Sequence, residues 1–408
     1  MKRHHLTLSV LLTLFVGLSP CLGYPRTDPD LKAAVDGNTR FALELYQKLR
    51  DREGNLFLSP YSISTALAMT YAGARENTAR QMAAALHFSQ DTKQLHAAFA
   101  DLAARLNAVQ GKGKVKLHIA NSLWPQKGYP ILNEYRTLIK KYYGIEITPV
   151  DYKIARETAR RMINAWVEKK TEGRIRNMIP PGVLDALTSL VLVNAIYFKG
   201  NWASQFNKTA TQDESFHLSP NESVKVPMMK QERTFRYAEH ENLQILELPY
   251  TGNDLSMVLL LPKGIDGIPD LEKALTSVNL EKWLNRLHDT KVSVLLPRFK
   301  MTSQFRLGET LKSMGMTDAL NPNKADFSGM DGNRNWLYIG AVLHKAFVEV
   351  NEEGTEAAAA TAVAMKRVAM PPPPPTFRAD HPFLFMIRDN GTGSILFMGR
   401  VADPTKSR

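Results

Sequence analysis

From residue 30 onward the apolar positions fall first into helical periods and then into strand periods. Between Asp30 and Arg52, the residues Ala34, Phe41, Leu43, Leu45 and Leu49 sit at helical spacing, and Gly54 follows as a stop. Residues 62–73 are small and apolar on most faces, which predicts a buried helix. Residues 76–86, 92–109, 132–143 and 157–172 predict four more helices. Val115, Leu117 and Ile119 alternate with Lys116 and His118, the two-residue period of a strand. Residues 190–198 are almost all apolar and β-rich, which predicts a strand buried on both faces. Residues 244–248 and 255–261 flank Thr251, Gly252, Asn253 and Asp254, a hairpin signal. Residues 292–296 and 347–350 predict further strands, and 383–387 with 395–397 predict a hairpin around 389–393. Helices come first and strands dominate later, so the fold class is α+β. No repeat and no linker divides residues 24–408, which read as a single domain.

The first 23 residues follow a different pattern. Lys2 and Arg3 precede an apolar run over 6–18, and small residues close it at 19–23. This three-part pattern predicts a secretory signal peptide cut after Gly23, and hence a secreted protein, extracellular or periplasmic. The run is too short to span a bilayer, and no other segment predicts a membrane span. The sole cysteine, Cys21, lies within these first 23 residues. Without it the chain has no disulfide framework, no thiolate nucleophile and no cysteine metal site. No cofactor or metal is expected.

The formal net charge is +12. The basic residues are spread along the chain and are densest at Lys112, Lys114 and Lys116 and over 169–176. No aromatic-interleaved basic module is present, so no specific nucleic-acid partner is expected; polyanion binding stays open as a side reading. Catalytic signatures are absent: there is no Gly-x-Ser-x-Gly, no His-Glu-x-x-His and no glycine-rich phosphate loop.

One segment fits neither period. After the strand near Val350 come Glu352, Glu353, Gly354, Thr355, Glu356 and the alanines Ala357, Ala358, Ala359 and Ala360, and the stretch runs on to five prolines at 371–375. The alanines favour a helix, but there is no apolar face to bury and the prolines end any helix. An exposed connection of this length is a functional feature or a disordered one. Taken as a strand, one face carries Thr355, Ala357, Ala359, Thr361, Val363 and Met365, while Glu356 and Lys366 fall on the other. Such a strand, over 355–365, would span about 36 Å and enter a sheet small side first. The prolines lack N–H donors, so insertion would stop before them.

Residues 352–360 resemble the hinge of the serpin reactive-centre loop. Other motifs agree: 55–63 resembles the family's entry to its second helix, and 192–202 a central-sheet strand. Residues 296–300 and 344–346, and the pair 380–385 with 396–400, resemble further family signatures in the same order. The alanine-rich hinge and C-terminal signature look most like secreted prokaryotic members. The resemblance implies the serpin fold, with helices packed around three β-sheets and a reactive-centre loop at about 352–376. It implies a suicide-substrate inhibitor of serine proteases, with cysteine proteases as a further target class, and not an enzyme. A protease attacks the bait bond, and the cleaved loop then inserts into the central sheet and drags the acyl-enzyme with it. The partner would be an extracellular serine protease in a covalent 1:1 complex with a monomeric inhibitor.

Specific residues follow from the resemblance. A proline or bulky charge at Thr355, Ala357 or Ala359 would obstruct insertion, and none is present. That favours an active inhibitor over a carrier, chaperone or storage serpin. The family's spacing from Gly354 puts the bait bond at Val368, whereas counting back from Pro382 puts it near Pro371; the window is 365–370. Arg367 within it suits a trypsin-like protease and is the preferred bond, while Val368 suits an elastase-like one. Ser59, Ser62, Asn194 and His344 match the polar cluster under the opening sheet. Trp202 matches the tryptophan where insertion begins, and Glu352 is placed to pair with Arg298 at the loop base.

Overall fold

The computed structural model describes residues 29–88, 91–112, 115–334, 337–353 and 373–407. The first half is helical: α1 (Pro29–Leu49), β1 (Leu56–Leu58), α2 (Pro60–Tyr71), α3 (Glu76–Leu86), α4 (Thr92–Gly111), β2 (Val115–Pro125), α5 (Asn133–Tyr143) and α6 (Tyr152–Lys170). Strands then dominate: β3 (Leu190–Gly200), β4 (Gln212–Ser219), β5 (Glu222–His240), β6 (Leu243–Pro249) and β7 (Leu255–Pro262). Two short helices follow, α7 (Ile268–Ala274) and α8 (Ser277–Asn285), and then β8 (His288–Pro297) and β9 (Phe299–Arg306). The chain closes with α9 (Gly308–Ser313), α10 (Ser328–Asp331), β10 (Ile339–Val350), β11 (Thr376–Arg378), β12 (Phe383–Asp389) and β13 (Ile395–Val401). None of the described helices is long and apolar enough to cross a membrane.

The α+β fold class holds, and among the described residues the strands form two hydrogen-bonded sheets where three were expected. The physical reason is β5. Its 19 residues pair with β4 near their start, with β8 along Met228–Tyr237 and with β6 at their end. One continuous strand thus joins what would otherwise be separate sheets. The predicted strands over 244–248 and 255–261 are β6 and β7, paired antiparallel. The predicted helix over 157–172 is preceded by a turn that begins at Tyr152, capped by the Asp151 side chain accepting from the amides of Lys153 and Ile154, and a kink at Ala155 (φ −126°, ψ 38°) separates the two.

The four-stranded sheet, in order β2-β3-β10-β9, carries the functional geometry. β2 is antiparallel to β3, and β9 is antiparallel to β10. The central pair differs: β3 and β10 run parallel and bond directly from Leu190 with Ile339 to Phe198 with Val348. This seam is closed, with no strand between the two. β3 is buried nearly throughout, because both faces are covered. The main core lies behind the sheet, and a smaller one lies in front of it, under α6. There Tyr152, Ala159, Ile163 and Val167, spaced along one helix face, meet Val191, Val193, Leu343 and Phe347.

Candidate functional site

Two polar groupings sit on this seam. The first lies behind its middle. Ser59 caps α2, accepting the Ser62 amide at 3.2 Å, and its own hydroxyl donates to the Leu396 carbonyl at 2.6 Å. The Ser59 amide donates to His344 Nε2 at 3.1 Å. An amide can only donate, so Nε2 accepts, and the neutral ring carries its proton on Nδ1, facing Asn194 Oδ1. The Asn194 amide nitrogen donates to Ser62 Oγ and to Asn121 Oδ1. The Ser62 hydroxyl in turn donates to Asn121 Oδ1 at 3.1 Å. All five residues are buried, and their hydrogen bonds link α2, β2, β3 and β10.

Burial, only partly opposed by the hydrogen bond with Asn194, lowers the His344 pKa to about 3. The imidazole is therefore neutral at physiological pH. Sequence reasoning named Ser59, Ser62, Asn194 and His344, and the structure brings these four together. It missed Asn121. The available signal was an asparagine amid the buried residues of β2, where a polar side chain needs a partner.

The second grouping lies at the end of the seam where β3 and β10 both finish. Glu352, two residues past β10, is 2% exposed. Arg298 Nε lies 2.7 Å from each of its carboxylate oxygens, and Nη2 also reaches Oε1. The Thr211 hydroxyl donates to the same carboxylate. Burial pushes the Glu352 carboxyl up, but the hydrogen bonds from Arg298 and Thr211 outweigh it and hold it below its ordinary value. The Glu352 carbonyl accepts the Phe206 amide at 3.1 Å. Trp202 Nε1 donates to the Asn351 carbonyl at 2.9 Å, and its ring stacks on Tyr250 at 4.7 Å. Gly200 makes room for this stack, because a Cβ there would meet the Tyr250 ring at 2.7 Å. The loop base is thus fixed by an ion pair, backbone bonds and an aromatic platform. Thr211 and the Lys208–Glu353 ion pair were not foreseen from sequence.

Gly354, Thr355, Glu356, Ala357, Ala358, Ala359 and Ala360 of the hinge, and Arg367 and Val368 of the bait window, lie outside the described residues. The basic stretches are partly neutralised: Lys112 pairs with Asp254, Lys116 with Glu172 and Arg176 with Glu168.

A closed parallel seam, a buried polar cluster behind it and a connection leaving its end define a serpin. The family profile described as "Serpin (serine protease inhibitor)" matches residues 36–404, and the chain belongs to that family. It is 44% identical over 394 residues to human serpin B3, covering 92% of this chain and 100% of that protein. It is 45% identical over 378 residues to human leukocyte elastase inhibitor, covering 90% and 98%. The structure is similar to that of uncleaved ovalbumin, with a TM-score of 0.83 and 33% identity over 91% of this chain and 100% of that one. The family is one of inhibitors that form complexes with proteases, rather than of catalysts.

These relatives correct two expectations. They are vertebrate, not prokaryotic, and serpin B3, serpin B4 and leukocyte elastase inhibitor speak against a secreted protein. The secreted localisation is therefore not sustained, and the signal peptide assigned to residues 1–23 loses its support; those residues lie outside the described ones. The physical reason is that a short apolar run beside charged and small residues is a local pattern. It carries no information from the folded domain, which is what the relatives match.

Proposed function

We propose that this chain is a suicide-substrate inhibitor of a serine protease of elastase-like specificity, with its reactive bond after Val368. The observation that carries the reading is the direct parallel pairing of β3 and β10. A loop leaving the end of β10 and folding back would run antiparallel to both strands. One parallel ladder would become two antiparallel ones, which are somewhat more stable per residue. Small side chains at Thr355, Ala357 and Ala359 let that strand enter. The inhibitor would hold this gain in reserve until cleavage, so its action is kinetic. The acyl-enzyme would be carried away from the loop base before water releases it, and catalytic geometry tolerates little displacement.

The trypsin-like target and Arg367 bond give way to the elastase-like alternative on two grounds. The family spacing from Gly354 reaches Val368, and a relative over nearly the whole domain is named leukocyte elastase inhibitor. The test is a denaturing, reducing gel after mixing the protein with trypsin or with an elastase. The expected result is a stable band near the summed mass with elastase, and a released C-terminal peptide beginning at Ala369. A band with trypsin and a peptide beginning at Val368 would restore Arg367. Cleavage by both with neither protease trapped would overturn the inhibitor reading for these two classes.

A further inference from the structure

The outer edge of β9 forms one wall of a cavity of about 680 Å³ that no part of the inhibitory mechanism uses. The segment after α6, the connection from α1 to β1, Lys345 of β10 and the C-terminal tail complete it. Among the described residues four cations line it, Arg52, Arg174, Arg176 and Lys345, against one acid, Glu53. Arg176 pairs with Glu168 at 2.9 Å, and the Lys345 ammonium donates to the Arg176 carbonyl at 2.8 Å. The other two guanidiniums are held differently. Arg52 lies over the Phe305 ring at 4.9 Å and Arg174 over the Tyr197 ring at 5.7 Å. Neither makes an ion pair within 4.0 Å among the described residues.

This arrangement favours an anion. An aromatic face orients a guanidinium plane and leaves N–H donors of its fork open, although Arg174 also bonds the Tyr197 side chain, and those donors match the oxygens of a phosphate or sulfate. The edge of β9 adds one backbone donor, at Gln304, since the outward amide of Thr302 is already taken. The Thr302 amide points outward, donating to the Ser407 carbonyl at 2.8 Å, and the Gln304 amide, two residues on, faces the same side. The volume is that of a small-molecule site, not of an extended groove. Charge lining without balancing acids raises the local concentration of counter-ions.

We propose that this cavity binds a compact, multiply charged phosphate or sulfate ester, gripped by Arg52 and Arg174. The site lies apart from the loop base, and its occupancy does not depend on the inhibitory reading. A ligand there ties the segment after α6 to the edge of the four-stranded sheet, so binding raises the melting temperature by mass action.

The test is titration calorimetry of the whole protein at low ionic strength, with inositol hexakisphosphate and, separately, sucrose octasulfate. The expected result is saturable 1:1 binding of at least one probe that weakens as salt is raised. Phosphate-only binding assigns the ligand to phosphate esters, and sulfate-only binding to sulfate esters. Arg52→Ala with Arg174→Ala should weaken binding tenfold or more, whereas Lys140→Ala, on α5, should leave it unchanged. Asn177→Asp is a second variant that keeps both arginines on their rings and adds a carboxylate to the rim. Asn177 has a φ of 51°, which aspartate also tolerates. It too should weaken binding tenfold. No binding of either probe, or equal affinity in wild type, the arginine double variant and Asn177→Asp, would overturn the proposal.

Discussion

At the residue scale, His344 shows how burial fixes a protonation state. The ring is enclosed, its Nε2 already accepts the Ser59 amide, and a second proton would both charge it and remove that bond. Its pKa of about 3 lies below that of a histidine in an unfolded chain, about 6.5. Between those values the unfolded chain binds a proton that the folded one does not. His344 therefore stabilises the fold fully above pH 6.5, and that contribution is lost as pH falls toward 3. Denaturant titrations across this range should show the wild type losing stability with a component of up to ~1.4 kcal/mol per pH unit from this one group. In His344→Gln the component should vanish, leaving a shallower pH dependence. Equal slopes in the two proteins would show that His344 does not hold its neutral form.

At the element scale, the base of the reactive-centre connection depends on a buried carboxylate. Glu352 is enclosed and Arg298 is its cationic partner, about half open to solvent. Removing the cation strands a charge, whereas neutralising the acid removes the charge and keeps a hydrogen-bonding group. Arg298→Ala should cost about 1–3 kcal/mol, discounted for the exposure of the arginine, and Glu352→Gln clearly less. Unfolding midpoints of the two variants give the order, and the reverse order would mean that the pair is not what holds this end of β10. The elements also show where reading the sequence succeeds. The predicted helix at 76–86 coincides with α3, because its periodicity and boundaries are local. β5 escaped prediction: exposed and buried residues mix along it because its neighbours change from β4 to β8 to β6. Its pattern records tertiary surroundings, and a two-residue period does not survive them.

At the scale of the whole molecule, the closed seam and the hinge make one prediction together. If cleavage drives strand insertion, a nick in the loop should raise the melting temperature of the wild type well above that of the intact protein. Thr355→Arg should abolish that rise, because a long charged side chain cannot enter the sheet interior without an unpaired charge. The same variant should be cut by the target protease and release it active. A normal rise in Thr355→Arg would show that Thr355 does not face inward on insertion, and would shift the strand by one residue. The uncharged face from Thr355 to Met365, small at its start, is visible in sequence, because a strand must present one face inward whatever the rest of the chain does.

The sequence by itself determined the order of helices and strands, the α+β class and four members of the buried polar cluster. These rest on local periodicity and on short motifs, both carried by neighbouring residues. Only the tertiary structure decided that β3 and β10 pair directly, that Asn121 completes the cluster and that Thr211 joins Arg298 on Glu352. It also brought Arg52, Arg174 and Lys345 around one cavity from three distant stretches of chain. Each of these is a contact between segments far apart along the chain. Such contacts depend on how the sheets and helices pack, and no local pattern of residues encodes them.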